Sequence, residues 1–198
     1  MGNYDSQYCT TVEYFSNVFS NMLTKKESDL LWKILHGGFP TGSFLFSCKF
    51  ANSPNCLFCG DLDELLHIFF KCPRLSALFV LMRDLIRKLL PHIDKIPFYW
   101  FIIGIPNVNK QSIDYYAKQL CNWLISIAKI AIVHSRWNKF NNTGIHNVLD
   151  LFKVKLLARL HVQFSYSTEF GDLDLFNTKW NHNNCLCTVT HGQLTLLL

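Results

Sequence analysis

Cys56-Leu57-Phe58-Cys59-Gly60, followed by Glu64, His67 and Cys72-Pro73, is the stretch on which the fold of this chain turns. Two cysteines with two residues between them form a knuckle whose tight turn lets both thiolates reach one ion. Gly60 tolerates the positive dihedral that such turns often need. His67 and Cys72 complete a four-ligand set, from a short helix and the residues after it. Three thiolates and an imidazole suit zinc, which favours soft, mixed sulfur and nitrogen coordination. All four positions are filled by protein, so one structural Zn2+ is expected and no metal-centred catalysis. The competing reading is a group of buried free cysteines beside a satisfied histidine. Four ligand-type residues within 17 positions make that a poor explanation. Structural zinc supplies ~10–16 kcal/mol of apparent binding energy in small fingers, enough to decide whether a short segment folds.

The sequence around the knuckle reads as helix. Upstream, Thr24-Lys25-Lys26-Glu27 is a capping box that predicts a helix through Leu30, Leu31, Ile34 and Leu35. Gly37 offers its left-handed stop and Pro40 bars its resumption. Before it, Val12 to Leu23 has apolar residues at helical spacing, and after it Ser43 to Phe50 reads as a short helix or an extended piece. Asp61, Asp63 and Glu64 are expected to cap the helix that bears His67 rather than to bind metal. Downstream, Pro73 opens a helix whose stripe runs from Leu75 through Leu78, Met82, Leu85, Ile86 and Leu89. A long helix is predicted from about Ser112 to Phe140. It has one apolar face through Leu120, Leu124 and Ala128, and a second line through Trp123, Ile130 and Trp137. Another helix follows, with Val148, Phe152, Leu156 and Leu160 inward. Periodicity fades from Ser165. Asn181 to Asn184 looks polar and unstructured, and the apolar run Leu194 to Leu198 has no place in the pattern.

The expected fold class is therefore mostly α, a helical domain organised around a small zinc knuckle with an irregular C-terminal tail. The expected divisions are residues 1–24, 25–92, 93–164 and 165–198. Half of the 198 residues are apolar, ample material for a core. Eight cysteines without an apolar leader in Met1-Gly2-Asn3-Tyr4-Asp5-Ser6 point to reduced thiols and an intracellular protein, in cytoplasm or nucleus. Met1-Gly2 with Ser6 also fits an N-myristoylation pattern, though a frayed start explains it as well. No stretch reaches the ~20 apolar residues of a membrane span. Cys9, Cys48 and Cys121 read as buried or incidental. Cys185 and Cys187 with His182 and His191 make a weak second metal candidate, because one intervening residue is a poor knuckle.

The formal charge is +5, and it is uneven. Lys110 to His161 holds eight Lys or Arg against two Asp, whereas Val162 to Leu198 is net acidic. A polyanion would meet the helical half first. The candidate phosphate contacts are Lys71, Arg74, Arg83, Arg87, Lys129, Arg136 and Lys139, with Lys88, Lys153, Lys155 and Arg159 as further members. For each, an ordinary solvated face is the alternative. Arg136 beside Trp137 pairs charge with a stacking surface suited to single-stranded RNA.

Trp32-Lys33, Leu35-His36-Gly37 and Phe39-Pro40-Thr41, followed by Cys56, Cys59, His67 and Cys72, resemble the zinc-binding domain that follows the reverse transcriptase of LINE-type (non-LTR) retrotransposons. Phe58, Glu64, Phe69 and Pro73 match the commoner intervening residues. Ala128-Lys129, Ile132 and Ser135-Arg136-Trp137-Asn138 resemble, more loosely, the helix downstream in animal elements. The resemblance implies a module that binds RNA or DNA. It does not extend to catalysis: a reverse transcriptase needs an Asp-Asp pair for two-metal chemistry, and the chain contains none. The expectation is thus a non-catalytic binding module without a small-molecule substrate. The alternatives are a zinc-stabilised protein-interaction domain, or a retrotransposon remnant without selected function.

Overall fold

Thr24 begins the first helix as its sequence predicts. In the computed structural model, which describes residues 23–106, 112–182, 184–190 and 193–198, the Glu27 carboxylate accepts the Thr24 amide at 2.8 Å and the Thr24 hydroxyl accepts that of Glu27 at 3.4 Å. The expected helix from Val12, the Gly2 pattern and Cys9 lie outside the described residues. Helix α1 (Lys25–Leu35) ends at His36, and Gly37 takes the left-handed dihedral, φ 69°. The ambiguous Ser43–Phe50 stretch resolves as helix α2 (Gly42–Ser47), started by Thr41, whose hydroxyl accepts the Phe44 amide at 3.1 Å.

The knuckle follows, then a π-helical turn (His67–Lys71) and a 3-10 turn (Pro73–Leu75) that leads into α3 (Ser76–Leu89). The predicted stripe of α3 is the wall of the core: Leu75, Leu78, Met82, Leu85, Ile86 and Leu89 are all buried. The aromatic stretch before Pro106 folds into the short α4 (Trp100–Ile103). Helix α5 (Tyr115–Phe140) is the central element, with every residue from Leu120 to Ile132 buried. Its two apolar faces pack on α1 and α3 and on α6 (Val148–Glu169). The second line is only partly internal: Trp123 and Ile130 are buried, but Trp137 is 65% exposed.

The tail consists of short pieces that pack on the helices. Helix α6 runs past Ser165 to Glu169, then come α7 (Leu173–Phe176), a π-helical turn (Asn177–Asn181), and strands β1 (Cys187–Thr190) and β2 (Gln193–Leu196). The strands pair antiparallel, with Cys187 opposite Leu196. Asn181 is not a solvated loop residue. It is buried, and its side-chain oxygen accepts the amides of Leu186 and Cys187. Phe176, Trp180, Leu186 and Leu194 join the same apolar cluster as Leu31 and Leu78, which gives the unexplained C-terminal run a buried anchor. Among the described residues no helix is long and apolar enough to cross a membrane.

Candidate metal centre

Cys56 and Cys59 sit on a small hairpin. Asn55 bridges Leu62, the Cys56 amide donates to the Asp61 carbonyl at 2.7 Å, and the Gly60 amide donates to the Cys56 carbonyl at 3.0 Å. Gly60 takes φ 84°, the conformation anticipated for the turn. His67 and Cys72 stand at the two ends of the π-helical turn, where the Cys72 amide donates to the His67 carbonyl at 3.0 Å. Five residues apart on an α-helix, these side chains would diverge by roughly 140°. The wider i→i+5 turn brings them back over one another.

The result is a closed donor set. Cys56 Sγ lies 3.9 Å from Cys72 Sγ, Cys72 Sγ lies 3.8 Å from Cys59 Sγ, and Cys59 Sγ lies 3.2 Å from His67 Nε2. All four donor atoms fall within 4.8 Å of one another. A tetrahedron with Zn–S bonds of ~2.3 Å has S···S edges of about 3.8 Å, so the sulfurs sit at zinc spacing and far outside the ~2.05 Å of a disulfide. Crowded thiols resist ionisation: burial, then the charge of Cys56, pushes the Cys72 thiol above its ordinary value, and burial with the neighbouring thiols pushes Cys59 up to about 12. A divalent cation reverses that balance. The donors fit one structural zinc ion, and protein would fill every coordination position. Among the described residues no other group of potential ligands converges, so Cys185, Cys187 and His182 form no second centre there; His191 lies outside them.

The surroundings lock the centre to the helices. Zinc with three thiolates and a neutral imidazole carries one net negative charge, and Arg74 lies against it. The Arg74 amide faces the Cys72 thiol, while its guanidinium covers the Phe58 ring at 3.8 Å and donates to Ser135 Oγ at 2.8 Å. Ser135 in turn donates to the His146 carbonyl at 2.5 Å.

Asp63 corrects an expectation. It does not cap the helix bearing His67. Its carboxylate is 1% exposed, accepts the first amide of α2, that of Gly42, at 2.6 Å, and is ion-paired with the Arg136 guanidinium. A Cβ on Gly42 would stand 2.5 Å from that carboxylate, so glycine is required there.

Three of the seven candidate phosphate contacts turn out to serve the fold. Arg136 neutralises Asp63, Arg74 bridges the knuckle to α5, and Lys129 is buried, donating to the Ile102 carbonyl at 2.6 Å. Lys129 therefore cannot present its charge to a phosphate. Lys71, Arg83, Arg87 and Lys139 are exposed. Asp63 and Ser135 were missed as supports of the centre. No local signal marked Asp63, whose partners lie 21 and 73 positions away.

A family model described as zinc-binding in reverse transcriptase matches residues 4–78. Over 174 residues, 87% of the chain, the sequence is 30% identical to the transposon TX1 uncharacterized 149 kDa protein of Xenopus laevis, of which it spans 13%. No solved structure matches significantly. Residues 4–78, which hold Cys56, Cys59, His67 and Cys72, thus match the family described as zinc-binding in reverse transcriptase, within a chain similar over most of its length to a segment of a transposon protein.

Proposed function

We propose that the chain is a non-catalytic nucleic-acid-binding module in which zinc shapes a basic surface. The observation that carries this reading is the division among its cations. Some are internal, but Lys71 at the end of the π-helical turn, Arg83 and Arg87 one turn apart on α3, and Lys139 at the end of α5 stay in solvent. The transposon relative and the matching family, described as zinc-binding in reverse transcriptase, support it, since transposition and reverse transcription both act on nucleic acid. The expected result is binding that weakens steeply with salt, with a slope of about 0.9 per phosphate contacted on duplex DNA. Fluorescence anisotropy of labelled RNA and DNA across a salt series measures it. Absent or salt-independent binding to both would sink the reading.

A protein-interaction role is the second reading, favoured by one feature. Phe44, Phe46 and Phe50, on and after α2, are exposed, Phe50 by 82%. Exposed aromatics this close in sequence are uncommon on a surface facing only water. Concentration-dependent self-association in sedimentation, abolished by Phe50→Ser, would favour it.

A further inference from the structure

Between the knuckle and the loop joining α5 to α6 lies a cleft of about 390 Å3, lined by Phe58, Arg74, Lys139, His146, Asn147 and Val148. At ~30 Å3 per water it has room for roughly a dozen, more than a lone tetrahedral anion fills. Its polar wall offers a guanidinium, an ammonium and an imidazole, and no carboxylate lines it. The nearest buried acid, Asp63, is already paired with Arg136. His146 Nε2 is buried without a hydrogen-bond partner. An unmatched polar atom is unfavourable, and a turn of the ring towards a ligand in the cleft would satisfy it. Asn147 caps α6, so the positive end of a 22-residue helix opens on the same space. Phe58 and Val148 supply the apolar part. The last turn of α5, which carries Lys139, also carries Trp137 and Phe140. Their rings stack at 6.3 Å and are 65% and 67% exposed.

We propose that this cleft holds one nucleotide unit of a single-stranded nucleic acid, its phosphate between Lys139 and His146 and its neighbouring bases on Trp137 and Phe140. The proposal rests on the nucleic-acid reading above and names a site for it. Single strands are favoured because stacking on exposed aromatic rings needs unpaired bases, whose faces a duplex hides. Arg74 stays a positioning residue, fixed over Phe58 by Ser135, and its charge closes the cleft from the metal side.

The test uses the zinc-loaded full chain with labelled oligouridylate and oligothymidylate, read by anisotropy over a salt series. Lys139→Met, at an exposed position, is expected to weaken binding about tenfold and to lower the salt slope by about 0.7, one single-strand phosphate. His146→Phe should weaken it as well, with the helical circular dichroism unchanged. The ring signals of His146 in a nitrogen–proton correlation spectrum should move when either oligonucleotide is added. A larger effect with oligouridylate would bring the ribose hydroxyl into the contact, and equal effects would confine it to phosphate and base. If wild-type protein binds with salt dependence but neither variant matters and the His146 ring is silent, the cleft is wrong and the module reading stands. If wild-type protein binds neither oligonucleotide, the cleft proposal fails, and if it binds no duplex DNA either, the module reading fails with it. Inorganic phosphate that moves the His146 ring as far as oligouridylate does would assign the cleft to the free ion and overturn the nucleotide claim.

Discussion

At the scale of single residues, the ligands and their supports differ in how far apart their evidence lies. Cys56, Cys59, His67 and Cys72 were readable because metal chemistry fixes residue types at short intervals. Cys59→Ser should therefore abolish stoichiometric zinc, from about one ion per chain to far below it, as counted by plasma mass spectrometry of dialysed protein; retained zinc would refute the centre. Asp63 was misread because its partners are distant, with Gly42 21 positions before it and Arg136 73 after. An acid before a helix has a local explanation, and the local explanation was wrong. Its burial makes a strong prediction. Asp63→Asn keeps the shape but strands Arg136, and breaking a buried pair from one side costs ~3–5 kcal/mol. Urea unfolding of the zinc-loaded protein measures that loss, and a change below 1 kcal/mol would show the pair to behave like a surface one.

Among elements, α1 was legible to within a residue or two, and α3 to within three because Pro73 opens a 3-10 turn before it; capping box, glycine stop and proline start are local devices. Helix α5 was legible as a helix but not in its details. Lys129 was assigned to a basic face, yet burial in α5 drives its ammonium down to about 8, with the Ile102 carbonyl of α4 as its acceptor. The consequence for pH has a definite sign. Above the unfolded value of ~10.4 the amine is neutral in both states, so burial carries no charge penalty. As pH falls from there towards about 8, the unfolded chain takes up a proton that the folded chain refuses, and stability declines. Lys129→Met should then be more stable than wild type at neutral pH by on the order of 3 kcal/mol. That advantage should shrink between pH 8 and 10. Urea midpoints of the two proteins at both pH values decide it; a gap independent of pH would mean that Lys129 is not the titrating group. Trp137 went astray for a complementary reason. Its sevenfold spacing continues the inner line, but α5 outruns the elements that would cover its last turn.

For the whole molecule, one apolar cluster joins α1, α3, α5, α6 and the tail, while the metal centre closes one end of it. Neither the hairpin near the C-terminus nor the docking of Trp180 on Trp123, 5.1 Å between ring centres, was foreseeable. The docking joins residues far apart in sequence, where periodicity is mute; the hairpin is local, but its two four-residue strands are too short to show a pattern. The arrangement predicts a graded response to chelation. Hydrogen exchange should accelerate over residues 55–66, whose hairpin is closed by the ion and its supports, more than over Ile68, Phe69 and Leu75, which the apolar cluster also holds. The amides of Leu120 to Ile132 should stay protected, because α3 and α6 enclose them. Uniform deprotection of both regions on zinc removal would show instead that the metal holds up the entire core.

The π-helical turn between His67 and Cys72 has a consequence for insertions and deletions. Its extra residue acts as a phase shifter. A chain one residue shorter there could still place a histidine and a cysteine on one helical face, four apart, and so keep its metal. Everything after Cys72 would then enter α3 rotated by about 100°. Leu78 and Met82 would swing away from α5 while the zinc stayed in place. The interval between these two ligands is thus set less by coordination than by orientation. It is the angular gauge that aims the rest of the protein, and length variation there would be tolerated by the ion and rejected by the core.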